Sequence, residues 1–185
     1  MKLYLNATSP FARLVRVVAL EKQLDALELV WCDPWQDDPD LLAVNPLGRV
    51  PALTDGDTAL SESILIAQYL DQASAPNLLN TGNYGTQLRH LGLGIGLMEA
   101  AFNLVIARKH DFKSPLDVRR EKAIARTLNA LAFEEVELES LGGLCIGVAL
   151  EYLAFRLPEL PLPKRLKALQ DSARGRPSFI QTAFL

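Results

Sequence analysis

The sequence predicts an α/β domain of order β-α-β-α-β-β-α over residues 1–73, a linker over 74–85, and an all-α helical bundle over 86–185. Three observations carry this reading. Short strand-like runs, separated by Pro, Gly, Asn and Asp, occur only before residue 73. Beyond Tyr84 the apolar residues recur at helical spacing and no convincing strand remains. The charge divides at the same place: residues 1–73 carry 5 Lys/Arg and 11 Asp/Glu, a balance of −6, and the remainder carries 14 and 11, a balance of +3.

Leu3–Leu5 reads as the first strand, broken by Asn6-Ala7-Thr8-Ser9-Pro10. Pro10 suits the first turn of a helix, which makes Ser9 its N-cap. The helix runs from Phe11 to about Lys22 on a stripe of Phe11, Leu14, Val15, Val18 and Leu20, with Arg13 and Arg16 beside it. Leu27–Trp31 alternates as a second strand, so this is a βαβ unit with parallel pairing. Residues 33–40 are a loop by composition, and Asp38-Pro39 opens a short helix ending near Val44. Val50–Thr54 is a strand with a proline in it, and Asp55-Gly56 turns it into an antiparallel partner at Thr58–Leu60. Ser61 or Glu62 then caps a helix over Ser63–Gln72. This completes a thioredoxin-like arrangement. In the second unit Leu88–Lys109 is a long helix interrupted by Gly92, Gly94 and Gly96, and Ser114-Pro115 starts another that runs to about Leu141 and ends at Gly142-Gly143. Leu144–Leu157, almost wholly apolar, is the buried central helix. Lys164–Ser172 and a turn opened by Arg176-Pro177-Ser178-Phe179 close the chain.

Hydrophobic residues make up 49% of the chain, enough for a substantial core and too many for a disordered one. A net charge of −3 argues against a general nucleic-acid binder, which needs a basic face for phosphates. Cys32 and Cys145 stand far apart, without Cys-x-x-Cys or Cys/His spacing, so no metal site is expected and reduced thiols are expected over a disulfide. Asn6 breaks the N-terminus too soon for a signal peptide. No apolar run reaches the ~18 residues that span a bilayer. Neither membrane nor nucleic acid is an expected partner, and the expected location is cytoplasmic.

Asn45-Pro46-Leu47-Gly48-Arg49-Val50-Pro51-Ala52-Leu53, with Leu60-Ser61-Glu62-Ser63 behind it, asks for more than a core needs. It turns sharply, presents unpaired main-chain groups, and runs through a proline-bearing strand to a helix start. That suits the backbone of a small bound peptide. Each motif alone has a plainer use: Ser-Pro and Glu-Ser as helix caps, Asn-Pro-x-Gly as a turn. The set carries the reading. With Ser9-Pro10-Phe11-Ala12 after the first strand, with Ile64, Ala67, Tyr69 and Leu70, and with the terminal Arg176–Phe179, the chain resembles the cytosolic glutathione S-transferases, of the bacterial type with serine at the thiol-activating position. The resemblance covers the whole chain and is most specific in its first 73 residues.

The resemblance implies glutathione as co-substrate, no metal, a small hydrophobic electrophile bound between the two domains, and a homodimer. It implies that Pro51 follows a cis bond and that Val50 offers its main chain to the glutathione cysteine. Glu62 would pair with the γ-glutamyl ammonium, and Ser63, at a helix start, would take its carboxylate. Arg49 would meet the glycine carboxylate. Ser9 matches the residue beside the glutathione sulfur, with Thr8 a neighbouring alternative. A free thiol has a pKa of ~8.5, and lowering it by about two units needs ~2.7 kcal/mol. A hydroxyl hydrogen bond to an anion gives roughly 1.5–3 kcal/mol, and a helix terminus roughly 0.3–1. Ser9 need only donate; it cannot form the mixed disulfide open to a cysteine. Phe11, Met98 and Phe102 are candidates for the electrophile pocket, with Arg108 on the same helix, and Trp35 could edge the glutathione site. The chemistry expected is transfer of an alkyl or aryl group to sulfur, as in detoxification. The alternatives are a non-catalytic protein-binding module on this fold or a related peroxidase, dehalogenase or isomerase reaction.

One position departs from the family pattern. The buried C-terminal helix is usually entered through a Ser/Thr followed three residues later by Asp. Here Gly143 stands about where the Asp would fall, the preceding connection is short, and Ser140 is the candidate substitute.

Overall fold

The structure, a computed structural model, describes residues 1–79, 82–110, 112 and 114–184. Its first part contains β1 (Lys2–Leu5), α1 (Pro10–Glu21), β2 (Glu28–Trp31), α2 (Pro39–Val44), β3 (Ala52–Asp55), β4 (Thr58–Ser61) and α3 (Ser63–Gln72), in the order expected. The mixed sheet has strand order β2-β1-β3-β4. β1 pairs parallel with β2 and antiparallel with β3, and β3 pairs antiparallel with β4. Leu3 and Leu5, two residues apart on β1, are both fully buried, as the two-residue period of a strand requires. Helices α1 and α3 pack against each other. The strand after the turn begins at Ala52, so Val50 and Pro51 lie outside it.

The second part is helical: α4 (Tyr84–Lys109), α5 (Pro115–Leu131), α6 (Leu141–Arg156), α7 (Lys164–Arg174) and α8 (Pro177–Gln181). α4 begins four residues before the expected Leu88, capped by the Asn83 side chain; Asn80 and Thr81 of the expected linker lie outside the described residues. By length and composition α4 could cross a membrane. In this fold it packs along α5 and α6, with Met98, Ala101 and Leu104 in the core. Of its three spaced glycines, Gly94 alone is needed for close packing: a Cβ there would lie 2.6 Å from the Cys145 Sγ, whereas Gly92 and Gly96 face open space.

Two sequence expectations fail together. α5 ends at Leu131, not near Leu141, and Gly142-Gly143 lies inside the first turn of α6 instead of ending a helix. The reason is a complete set of partners for the buried start of α6. The Leu141 N–H donates to the Leu78 carbonyl at 3.0 Å, the Gly142 N–H to the Gln87 Oε1 at 3.2 Å, and the Gly143 N–H to the Ser140 Oγ at 3.0 Å. The Ser140 hydroxyl in turn donates to the Glu137 carbonyl at 2.7 Å. Every orphan donor that a helix start exposes is therefore met without the carboxylate of a capping box. That carboxylate would also have no room, because a Cβ on Gly143 would lie 1.8 Å from the Glu137 carbonyl oxygen.

Side-chain clasps hold the linker and the second part to the first. The Lys22 ammonium and the Asp71 carboxylate, both fully buried, stand 3.1 Å apart. Lys22 also donates to the carbonyls of Asp71, Ser74 and Pro76, while Asp71 accepts from the Leu78 and Leu79 N–H groups. Arg176 makes a two-pronged contact with Glu21, at 3.0 and 2.8 Å, and Ser178 donates to the same carboxylate. Burial pushes the Glu21 carboxyl up, but the bonds from Arg176 and Ser178 outweigh it and hold the group below its ordinary value.

Candidate active site

Ser9 closes the loop between β1 and α1 and is half-buried. Its N–H donates to the Asn6 Oδ1 at 2.9 Å, and its hydroxyl oxygen accepts the Ala12 N–H at 3.2 Å. The capping and functional uses of this serine are thus compatible. Capping occupies a lone pair, while the hydroxyl hydrogen has no acceptor among the described residues and is free to donate. Pro10 has no N–H, so Phe11 carries the remaining main-chain donor of the first turn. The neighbouring Thr8 is also half-buried, so both hydroxyls stand at this helix start.

The turn at 45–49, which Asn-Pro-x-Gly predicts, is organised by the Asn45 side chain. Asn45 is 2% exposed. Its Oδ1 accepts the Leu47 N–H at 3.2 Å, its Nδ2 donates to the Arg49 carbonyl at 2.8 Å, and its own carbonyl accepts the Gly48 N–H at 2.9 Å. The signal was available: an Asn two residues before a main-chain donor forms such a turn readily. The turn delivers Val50 to the start of the inner strand β3, where neither its N–H nor its C=O has a partner among the described residues. The Val50–Pro51 bond is cis, as the resemblance implied. Ala75–Pro76 is also cis, and nothing in the sequence reading pointed to it. The Arg49 side chain is exposed and makes no ion pair among the described residues.

Glu62 is the N-cap residue of α3, yet its side chain makes no capping bond. It is exposed, with φ 70° and ψ 115°, a backbone that costs a non-glycine residue roughly 1–3 kcal/mol. Strain of this kind persists where the geometry is used. Ser63 follows at the first helical position, 5% exposed. Its N–H, like every first-turn N–H, has no partner inside the helix. Ala52 on β3 pairs with Ser61 on β4, which sets the Val50-Pro51 segment beside Glu62 and Ser63. Unpaired main-chain donors and acceptors, an exposed carboxylate and a helix N-terminus therefore share one end of this hairpin.

The pocket candidates separate. Phe11 and Phe102 are half-buried and meet edge to face, with ring centroids 6.2 Å apart across the boundary between α1 and α4. Met98, four residues before Phe102, is fully buried in the core. Arg108 is held by Glu159 at 2.5 Å and Glu121 at 3.2 Å, which leaves it an ion-pair role at the end of α4. Trp35 stands on the loop after β2, 62% exposed. Both cysteines are free. Burial pushes the Cys145 thiol up to about 12, and burial with the nearby Asp38 raises Cys32. A cavity of about 400 Å³ lies between Glu134–Glu137 and α7, but none of the residues above lines it.

Residues 3–78 match the N-terminal domain family of glutathione S-transferases. Glutathione S-transferase Z1 of Arabidopsis thaliana is 31% identical over 154 residues, covering 80% of this chain and 67% of the plant protein. Among solved structures, a glutathione S-transferase from Methylobacillus flagellatus with glutathione bound superposes with a TM-score of 0.90 at 27% identity, over 100% of this chain and 99% of that one. A glutathione transferase family member from Pseudomonas fluorescens Pf-5, also with bound glutathione, superposes with a TM-score of 0.87 at 28% identity, over 98% of each chain. The chain belongs to the glutathione S-transferase family.

Proposed function

We propose that the protein activates the thiol of glutathione and directs its sulfur onto a small apolar electrophile. In this reading residues 1–73 hold glutathione. The Val50 main chain takes the cysteine backbone, Glu62 the ammonium, Ser63 the γ-glutamyl carboxylate and Arg49 the glycine carboxylate. The observation that carries it is Ser9: a capping hydroxyl with its hydrogen free, at the start of α1, two residues before the aromatic side chain that meets Phe102. The hydroxyl would donate to the thiolate and hold it charged near neutral pH, and the thiolate would attack the electrophile's carbon and displace its leaving group. Residues 86–185 contribute Phe102 as the facing wall. A homodimer fits the apolar face formed by Leu65 and Tyr69 on α3 and Tyr84 and Leu88 on α4, each between 40% and 55% exposed.

The test is binding to immobilised glutathione, turnover of a chlorinated aromatic, and ultraviolet titration of the bound thiolate. Ser9→Ala is expected to lower kcat by about 10–100-fold and raise the bound thiol's pKa by about one to two units, with glutathione affinity within a few-fold. An unchanged thiolate titration in Ser9→Ala, with loss in Thr8→Val, would transfer the role to Thr8. Binding without turnover would point to a protein-binding module instead. Light scattering tests the dimer, which a monomer of about 20 kDa would overturn.

A further inference from the structure

Arg13 lies one turn into α1, and its N–H donates to the Ser9 carbonyl at 3.0 Å. Instead of lying beside the apolar stripe, it is 4% exposed. Its Nε donates to the Thr182 Oγ1 at 3.3 Å and its Nη2 to the Phe179 carbonyl at 3.2 Å, both on the C-terminal segment. The guanidinium also stacks on the Phe184 ring at 4.3 Å and lies 5.5 Å from the Phe179 ring. Phe184 is itself stacked on Phe155 of α6, with centroids 5.1 Å apart. The facing charges are few. Glu151 of α6 stands 3.9 Å away and is engaged more closely by Arg174 of α7 at 2.7 Å, while Arg16 on α1 and Arg174 add like charge. Burial, opposed by Glu151, lowers the Arg13 group to about 10, which leaves it charged at neutral pH. The Nη1 is buried with no partner among the described residues. A desolvated, incompletely satisfied arginine on a helix that already has a full apolar face is costly for packing alone.

We propose that Arg13 is a positioning residue for the thiol-activating end of α1: its planar fork pins the first turn to the segment running from α8 to Phe184, and so fixes where the Ser9 hydroxyl stands. This rests on the reading of Ser9 above. The fork, not the charge, is what matters, because two donors and a flat face engage the C-terminal segment at once. A hydroxyl hydrogen bond to an anion weakens steeply with distance and angle, so a loosened α1 start would lose part of it while the clamp on β3 and α3 stays intact.

The test compares Arg13→Lys, Arg13→Gln and Thr182→Val with the wild-type protein, using glutathione, a chlorinated aromatic and ultraviolet titration of the bound thiolate. Both Arg13 variants are expected to raise the bound thiol's pKa by about one unit and to lower kcat about tenfold, with glutathione affinity changed less than about threefold. Thr182→Val, which removes one acceptor and spares the arginine, should move the pKa in the same direction by less, and it serves if the Arg13 variants do not fold. An unshifted pKa in a folded Arg13→Gln or in Thr182→Val would overturn the proposal. So would wild-type behaviour of Arg13→Lys, since charge alone would then suffice. Failure of the wild-type protein to bind glutathione would instead overturn the underlying functional reading.

Discussion

The two ends of this molecule are built by opposite means. The candidate glutathione site is made of main chain and short-range bonds. Asn45 folds residues 45–49 around its own side chain, Ser9 caps the helix it begins, and Glu62 and Ser63 are neighbours in sequence. The start of α6 and the junction between the parts are made of side chains and carbonyls brought from far away. Gln87 and Leu78 cap α6 from 55 and 63 residues upstream, and Arg176 reaches Glu21 across 155. Local construction leaves a site that needs few partners. Distant construction leaves a scaffold in which a single small change removes several contacts at once.

The largest expected effect is at the junction. Asp71→Asn leaves the Lys22 ammonium buried without its counter-charge, which should cost about 3 kcal/mol, read as a shift in urea or thermal unfolding. Retained glutathione affinity in the folded fraction would sharpen the contrast, and its loss would show that the site depends on the junction. Next is Gly143→Asp, which restores the family's usual residue. It should destabilise by about 1–3 kcal/mol or more, because its Cβ meets the Glu137 carbonyl. A gain in stability on this change would mean that the α5–α6 connection yields easily and that α6 is not fixed from a distance.

The smallest effect is pH-dependent. Glu21 is held below its ordinary value through Arg176 and Ser178, against the upward push of burial, so its contribution is present above the unfolded carboxyl pKa of ~4.3 and is lost as pH falls through the lower folded value. Glu21→Gln should therefore be less stable by about 1 kcal/mol at neutral pH. The gap to wild type should close in acid. A gap that stays constant with pH would remove the charged clasp from the account.

The order of the first seven elements, the cis bond at Pro51 and the cap at Ser9 were legible because each depends on residues within a few positions of one another: strand alternation, a proline, a hydroxyl at a helix start. The helix boundaries after Leu131 were not legible. Gly142-Gly143 reads as a helix end on propensity alone, and only the crowding of Glu137 against α6 turns glycine into the residue that fits inside one. Met98 and Phe102 carry the same pattern in sequence, and packing against α6 decided that the first is core while the second meets Phe11. Arg13 looked like a residue beside the stripe until α8 and Phe184 enclosed it. By itself, then, the sequence determined the glutathione-type turn, its cap and the family. Tertiary structure decided how α6 begins, which side chain of α4 meets Phe11 and what holds α1 in place. A backbone turn is set by forces acting over a few residues, whereas burial depends on which distant surface arrives to cover a side chain.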